Sequence, residues 1–296
     1  MRLNFGVKPW SATEVIKTSS DRELSYQTDL GRLYEGDCLD IFPSIHDASV
    51  DTVFADPPFN LGKKYGSATD DDKPDCEYVE WCKKWVDESI RVLKPGGALF
   101  LYNLPKWNIL LGAHLAERGM TFRHWIAISI KLCLPIPKRL YPAHYSLLYY
   151  TKGKPKTFRN IRTPIKTCRH CGKELKDYGG HRDAMNPKGV NLTDVWEDIP
   201  PVRHRKFKSK KRTQNQLSTK LVGRCIEIST IPGEVVLDPF GGSGTTYDVC
   251  ERLDRHWIGM EIQNADVIIE RLDEGVLHHH GTDDLVDVPE EERSAR

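Results

Sequence analysis

Val235-Val236-Leu237-Asp238-Pro239-Phe240-Gly241-Gly242-Ser243-Gly244-Thr245-Thr246 is the stretch from which the rest of the chain is read. Its β-branched, apolar start predicts a strand, its glycines a tight turn, and Tyr247 to Leu253 can continue as a helix. Glycine lets backbone approach a ligand closely, and the N–H groups of a first helical turn favour a negatively charged or electron-rich group. A nucleotide-like ligand is implied. Two familiar alternatives fail. A phosphate-binding loop needs Gly-Lys-Ser/Thr after its glycines, and Thr245 stands where that Lys belongs. A dinucleotide fingerprint needs a third Gly, and Tyr247 occupies that place.

Downstream, His256-Trp257-Ile258-Gly259-Met260-Glu261 is an apolar segment ending in a carboxylate. In open α/β sheets ligands sit beyond the carboxyl ends of neighbouring strands, where an acid can accept hydrogen bonds from ribose hydroxyls. Glu261 is the candidate for that role, with a strand followed by a surface Glu as the competing reading. Far upstream, Val50 to Ala55 reads as a strand running into Asp56-Pro57-Pro58-Phe59. Two consecutive prolines cannot donate ladder hydrogen bonds, so the strand ends there and the chain leaves in a stiff direction. Asp56 is thereby held at a strand's carboxyl end, although Asp-Pro is also a common turn opener.

Taken together, the glycine segment resembles the S-adenosylmethionine-binding motif of amino-group DNA methyltransferases, and Asp56-Pro57-Pro58-Phe59 resembles their second motif, Asp-Pro-Pro followed by an aromatic. The order of the two, with a long basic stretch between, is similar to the beta order of that family, over residues 30 to 272. The resemblance implies an α/β fold: a circularly permuted, Rossmann-like, S-adenosylmethionine-dependent methyltransferase sheet with an inserted target-recognition region. It implies S-adenosyl-L-methionine as cofactor, held by Asp37 and Cys38, by Asp238, Pro239, Phe240, Gly241, Gly242, Ser243, Gly244, Thr245 and Thr246, and by Glu261. The catalytic set is Asp56, Pro57, Pro58 and Phe59, and no metal is assigned. One departure concerns Thr213-Gln214, which keeps the middle of a His-Pro-Thr-Gln-Lys-Pro motif while Lys211-Arg212 and Asn215-Gln216 replace its flanks.

The chemistry follows from the cofactor. Its sulfonium methyl is already activated, so the protein mainly has to bring a nucleophile onto the correct axis. An exocyclic amine is a poor nucleophile because its lone pair is delocalised into the ring. A carboxylate accepting one N–H and a carbonyl accepting the other, the roles of Asp56 and Pro57, would pull it toward tetrahedral geometry. A base inside a duplex is out of reach, so it must be flipped out, and Phe59 supplies a face for it to stack on. In the family, Asp as the first motif residue leans toward adenine N6, with cytosine N4 the alternative. Cytosine-C5 chemistry would need a cysteine nucleophile, usually after a proline, and no Pro-Cys dipeptide occurs.

Composition agrees. Of 296 residues 39% are hydrophobic and 29% charged, no apolar run approaches a membrane span, and no signal-peptide pattern is present, so a cytoplasmic enzyme without membrane contact is expected. Eight Cys without regular spacing fit a reducing compartment. The net charge of +1 hides a region from Lys152 to Arg224 with about 20 basic against about 6 acidic residues, either a solvated basic surface or a face for a polyanion, and its place between the two motifs favours nucleic acid; the resemblance implies double-stranded DNA as the partner. Whether the enzyme is a homodimer, or has a cognate restriction endonuclease, stays open.

The expected organisation is an N-terminal segment 1–29 without clear periodicity apart from Trp10, a catalytic half 30–151, a basic recognition insert 152–212, a cofactor half 213–272, and an acidic, disordered tail 273–296 containing His278-His279-His280. Within the core, Leu39 to Ile45 reads as a short helix or turn, and 61–74 as a polar loop, with Gly62 and Gly66, able to close over a ligand. Cys76 to Leu93 has helical spacing, Ala98 to Tyr102 is a strand, Trp107 to Arg118 a helix, and Arg123 to Ile130 and Ser146 to Tyr150 are strands, which predicts a parallel, doubly wound sheet. Leu217 to Thr230 reads as a helix. In the insert, Cys168-Arg169-His170-Cys171 reads as a metal-free basic turn or as half a zinc site that His181 or His170 and another ligand would complete. The segment from Asp194 to Pro200 resembles the link back to the core, with Trp196 as an anchor. A DNA-binding homologue that has lost catalysis, and an RNA or protein methylase, are the readings from other classes.

Overall fold

The computed structural model describes residues 11–17, 24–62, 71–130, 137–138, 140, 142–165, 167–168, 170–173, 179–180, 186–199 and 216–273. In chain order its regular elements are β1 (Leu24–Gln27), β2 (Gly31–Glu35), α1 (Cys38–Ile41), β3 (Val50–Ala55), α2 (Asp75–Val92), β4 (Leu93–Asn103), α3 (Pro105–Glu117), β5 (Thr121–Ser129), β6 (His144–Thr151), β7 (Arg162–Thr163), β8 (Val190–Asn191), β9 (Val195–Trp196), α4 (Thr219–Ser229), β10 (Val235–Asp238), α5 (Thr245–Arg252), β11 (His256–Glu261) and α6 (Ala265–Asp273). Nine strands hydrogen-bond into one sheet in the order β1-β2-β11-β10-β3-β4-β6-β5-β9, while β7 and β8 pair apart from it.

The strand of the glycine motif comes late in the chain yet lies mid-sheet, between β11 and β3 and parallel to both. Because β2, β11, β10, β3 and β4 all run parallel, their carboxyl ends reach one edge of the sheet. Asp37, Glu261, Asp238 and Asp56, each at or just beyond such an end, are gathered there.

Strand periodicity divides the core between two faces. Val53, Leu99, Leu101, Val235 and Leu237 belong to a cluster with Cys82, Trp85 and Val86 of α2 and Trp107, Leu111 and Leu115 of α3. Phe54, Phe100 and Val236, one residue out of phase, belong to a second cluster with Leu221, Val222, Cys225 and Ile226 of α4, Val249 and Cys250 of α5, and Ile268 of α6. With helices on both sides, β3 and β10 are buried throughout their lengths. Each such Val, Leu or Phe contributes roughly 1.5–3 kcal/mol relative to exposure, and the polar Asp51 and Thr52 buried in β3 are hydrogen-bonded, to Lys94 and the Val235 N–H and to the Ser229 hydroxyl.

The sheet is mixed and not the parallel one expected. β6 runs antiparallel to both β4 and β5, and β1 antiparallel to β2. β5 leads straight to its neighbour β6 with no crossover helix among the described residues, and strands joined that way pair antiparallel. β1 also lies in the segment that lacked a readable pattern: a four-residue edge strand, half exposed, has no face to show alternation. α4 starts at Thr219, with Ser218 preceding it as the N-cap residue, two residues later than the apolar spacing suggested.

Within the segment from Asp194 to Pro200, residues 194–199 join the core through β9, which pairs with β5 in parallel. Trp196 is 1% exposed and donates its indole N–H to the Thr193 carbonyl at 2.7 Å, so it is a core anchor. Asp198 then accepts both arms of the buried Arg224 of α4, at 2.8 and 2.5 Å, and Lys220 at 3.0 Å; the Arg224 guanidinium holds its carboxyl well below the usual range. Trp10, Gly66, His181, the run Arg203 to Arg212, Thr213-Gln214 and His278-His279-His280 lie outside the described residues.

Candidate active site

The glycine turn is built on hydrogen bonds to its own neighbours. Asp238 is 2% exposed; its Oδ1 accepts the Phe240 N–H at 2.9 Å and its Oδ2 the Thr246 hydroxyl at 2.5 Å. The Gly241 N–H goes to the Met260 carbonyl at 2.8 Å, the Gly242 N–H to Glu261 Oε2 at 2.6 Å, and the Gly244 N–H to the Gly241 carbonyl at 2.8 Å. Between Phe240 and Gly244 only the Ser243 N–H lacks a partner among the described residues. Most of the turn's amides thus fix its shape, and the N–H groups of the first turn of α5, from Thr245 onward, follow directly after it.

Glycine is required at two of these places for different reasons. Gly244 adopts φ 75°, the left-handed region, where the chain turns into α5. A Cβ on Gly241 would lie 2.7 Å from the Tyr247 hydroxyl and 2.9 Å from Ile268 Cδ1. The Tyr247 ring, stacked on Trp257 at 4.7 Å, fills the place that a third glycine would leave open in a dinucleotide site.

At the end of β3, the two prolines end the ladder as expected. Tyr78 of α2 donates its hydroxyl to the Pro58 carbonyl at 2.6 Å, and the Trp107 indole N–H of α3 donates to the Phe59 carbonyl at 2.8 Å. The Pro57 carbonyl takes no hydrogen bond among the described residues, so it is the acceptor left over beside Asp56. The Phe59 ring meets Tyr102 and Tyr145 at 5.9 and 5.8 Å. Burial, and then the Asp56 charge, push the Tyr102 phenol far up, so it stays protonated near the carboxylate. After Phe59 the chain is tied back on itself: Asn60, at φ 55°, exchanges amide hydrogen bonds with Lys73 at 2.7 and 2.8 Å, and Asp71 accepts the Asn60 and Leu61 N–H groups. The loop expected to close over a ligand thus has both ends pinned at one point.

These two strand ends open on one cavity of about 340 Å³. Fifteen of the sixteen expected site residues line it: Asp37, Cys38, Asp56, Pro57, Pro58, Phe59, Asp238, Pro239, Phe240, Gly241, Gly242, Ser243, Thr245, Thr246 and Glu261. Gly244 does not; it sets the direction of α5. Asp37 also caps α1, accepting the Leu39 N–H at 2.9 Å, and Cys38 is buried behind it. Glu261 is 6% exposed and burial pushes its carboxyl up to about 7 despite the Gly242 N–H; burial does the same to Asp238, also to about 7.

The wall includes residues the sequence pattern did not single out. Trp81 of α2 packs on Phe240 at 5.8 Å, with Trp85 edge-on to the same ring at 5.1 Å. Gly36, Lys73, Tyr78, Tyr145, Leu217 and Ile262 complete the lining. Trp81 was legible only as one member of an apolar helix stripe. Away from the cavity, Cys168 and Cys171 share a turn closed by the Gly172 N–H to the Cys168 carbonyl at 2.9 Å, and backbone N–H groups lower the Cys168 thiol's pKa. No cluster of three metal-ligating side chains occurs among the described residues.

The chain is 58% identical over 248 residues to the Type II methyltransferase M.BamHI of Bacillus amyloliquefaciens, covering 83% of this chain and 58% of that relative's length. The PvuII DNA methyltransferase (cytosine-N4-specific) superposes with a TM-score of 0.61 at 20% identity, over 90% of this chain and 94% of the other. TTHA0409 of Thermus thermophilus, complexed with S-adenosyl-L-methionine, superposes with a TM-score of 0.54 at 21% identity, over 83% and 96%. Residues 50–269, from the strand before Asp56 to the helix after Glu261, match the model of the N6/N4 DNA methylases, and the chain belongs to that family.

Proposed function

We propose that the chain transfers a methyl group from S-adenosyl-L-methionine to an exocyclic amino nitrogen of a base flipped out of double-stranded DNA. The observation that carries this is the convergence of two strand ends, β3 with Asp56 to Phe59 and β10 with the glycine turn, on one cavity. The lining suits the cofactor: Glu261 and Asp37 stand at the ends of neighbouring strands, placed to accept from ribose and adenine. When bound, the cofactor supplies an activated methyl on a sulfonium.

The chain's own residues do the rest. Phe59, braced by Tyr102 and Tyr145, gives the extruded base a face. Asp56 accepts one amino hydrogen and the Pro57 carbonyl the other, because Tyr78 and Trp107 have taken the next two carbonyls. This holds the nitrogen lone pair toward the methyl and accommodates the positive charge that develops. Residues 152–212 serve as the target-recognition region, supported by their excess of basic residues. The 58% identity to a Type II methyltransferase supports modification at a specific site.

Asp at the head of the motif favours adenine N6 over cytosine N4. The test is transfer of labelled methyl to unmodified duplex DNA, then nucleoside digestion and mass spectrometry. N6-methyladenine supports the full reading, N4-methylcytosine replaces the base while keeping the site, and cofactor binding without labelled DNA overturns the substrate.

A further inference from the structure

The glycine turn is lined by the cavity on one side and gripped by a cation on the other. Arg271 of α6 is 1% exposed and is not part of the cavity wall. Its Nη1 donates to the Ser243 carbonyl at 3.1 Å and to Thr245 Oγ1 at 3.0 Å, with Ser243 Oγ at 3.4 Å. Its Nη2 donates to Asp248 Oδ2 at 3.0 Å. Asp248, itself 2% exposed, is shared with Arg252 of α5 at 3.0 Å.

The oxygens it holds flank Gly244, the left-handed residue where the turn becomes α5. Ser243 and Thr245 are cavity-lining, so the guanidinium reaches the ligand's wall from behind. A buried guanidinium is costly unless its donors are matched in geometry, and only a planar fork can satisfy a carbonyl, a hydroxyl and a carboxylate at once.

We infer that Arg271 is a positioning residue for the cofactor: it fixes the Ser243 to Thr245 wall of the glycine turn, and through it α6 and cofactor occupancy are linked. This rests on the proposed use of S-adenosyl-L-methionine. By reciprocity, a ligand that selects the ordered turn must steady α6 to the same extent.

The experiment compares wild type with Arg271→Lys, which keeps the charge and loses the fork. Cofactor affinity is measured by equilibrium titration, folding by circular-dichroism melting, and kcat and KM for cofactor and DNA by labelled-methyl transfer. The expected result is a cofactor Kd and KM raised about tenfold or more, with kcat at saturating cofactor and KM for DNA changed less than about twofold. A folded variant with unchanged cofactor affinity overturns the inference, as does a loss spread equally over kcat and the KM for DNA. Should the variant not fold, wild-type hydrogen exchange decides: S-adenosylhomocysteine is expected to slow exchange of the α6 amides, and unchanged exchange overturns the inference. Wild type that binds no S-adenosylmethionine refutes the functional proposal itself, and the inference falls with it.

Discussion

Cofactor affinity should rise with pH through neutrality, and Glu261 should be the reason. Its carboxyl is pushed by burial from an ordinary 4.5 up to about 7, so near pH 7 half of the cofactor-free protein carries it protonated. Ribose hydroxyls donate more strongly to a carboxylate than to a carboxyl, so the bound state favours ionisation and releases a proton. For one group with a pKa of about 7, the ionised fraction grows from roughly a tenth at pH 6 to roughly nine tenths at pH 8, which makes binding about tenfold tighter. The sign for folding is the reverse: a pKa raised above its unfolded value stabilises the cofactor-free protein at low pH, and that contribution is lost as pH rises from about 4.5 through about 7. Calorimetric titration with S-adenosylmethionine at about pH 6 and about pH 8, in buffers of different ionisation heat, reads affinity and proton release together. Glu261→Gln, titrated with the same ligand so that the ligand's amino group cancels, should bind more weakly at high pH and lose most of the slope. Affinity that is flat or falling from pH 6 to pH 8, or a tenfold rise surviving in Glu261→Gln, refutes the reasoning.

Asp56→Ala should abolish methyl transfer while leaving cofactor affinity near that of wild type, measured by labelled transfer beside titration; retained transfer would overturn the mechanism. Phe59→Ala removes one stacking face worth roughly 1–3 kcal/mol, so kcat/KM for DNA should fall about 5- to 150-fold with little change in the cofactor KM. Gly259→Ala would place a Cβ 2.5 Å from the Tyr247 ring, which is packed on Trp257 and cannot retreat, so thermal melting should show a loss of about 1–3 kcal/mol. Asp198→Asn removes the charged partner of a buried Arg224 and should cost about 1–3 kcal/mol in denaturant unfolding, with a wild-type midpoint counting against that ion pair.

The parts of the site that were legible in sequence are those whose chemistry is local. Gly241, Gly242 and Gly244 specify a turn through their own backbones, and Pro57-Pro58 ends a strand wherever the chain goes. Residues that reach the cavity through packing were not legible. Trp81 sits on a helix stripe like any core Trp and becomes part of the wall only because Phe240 is seated against α2. Tyr145 depends on the direction of β6, and strand direction leaves no mark on an alternating apolar pattern. The same limit explains the turn amides. That glycines allow close approach is visible in sequence, whereas the commitment of the Gly241 and Gly242 N–H groups to Met260 and Glu261 appears only once the folded register brings β11 near. Asp198 and Arg224, 26 residues apart, likewise meet only after β9 has joined the sheet.

The position of β10 also bears on how the protein is made. Synthesis runs from the amino terminus at about 5–20 residues per second, so β3 leaves the ribosome long before the strand that must lie beside it. Until residue 238 and the β11 segment have emerged, β3 and β2 each present an open hydrogen-bonding edge, because these partners come much later in the chain. The sheet therefore closes by late insertion at its centre and not by growth at its rim. Nascent chains stalled before β10 should be protease-sensitive and prone to associate. The Asp56 to Phe59 strand end and the glycine turn are thus brought side by side only when β10 takes its place between β3 and β11.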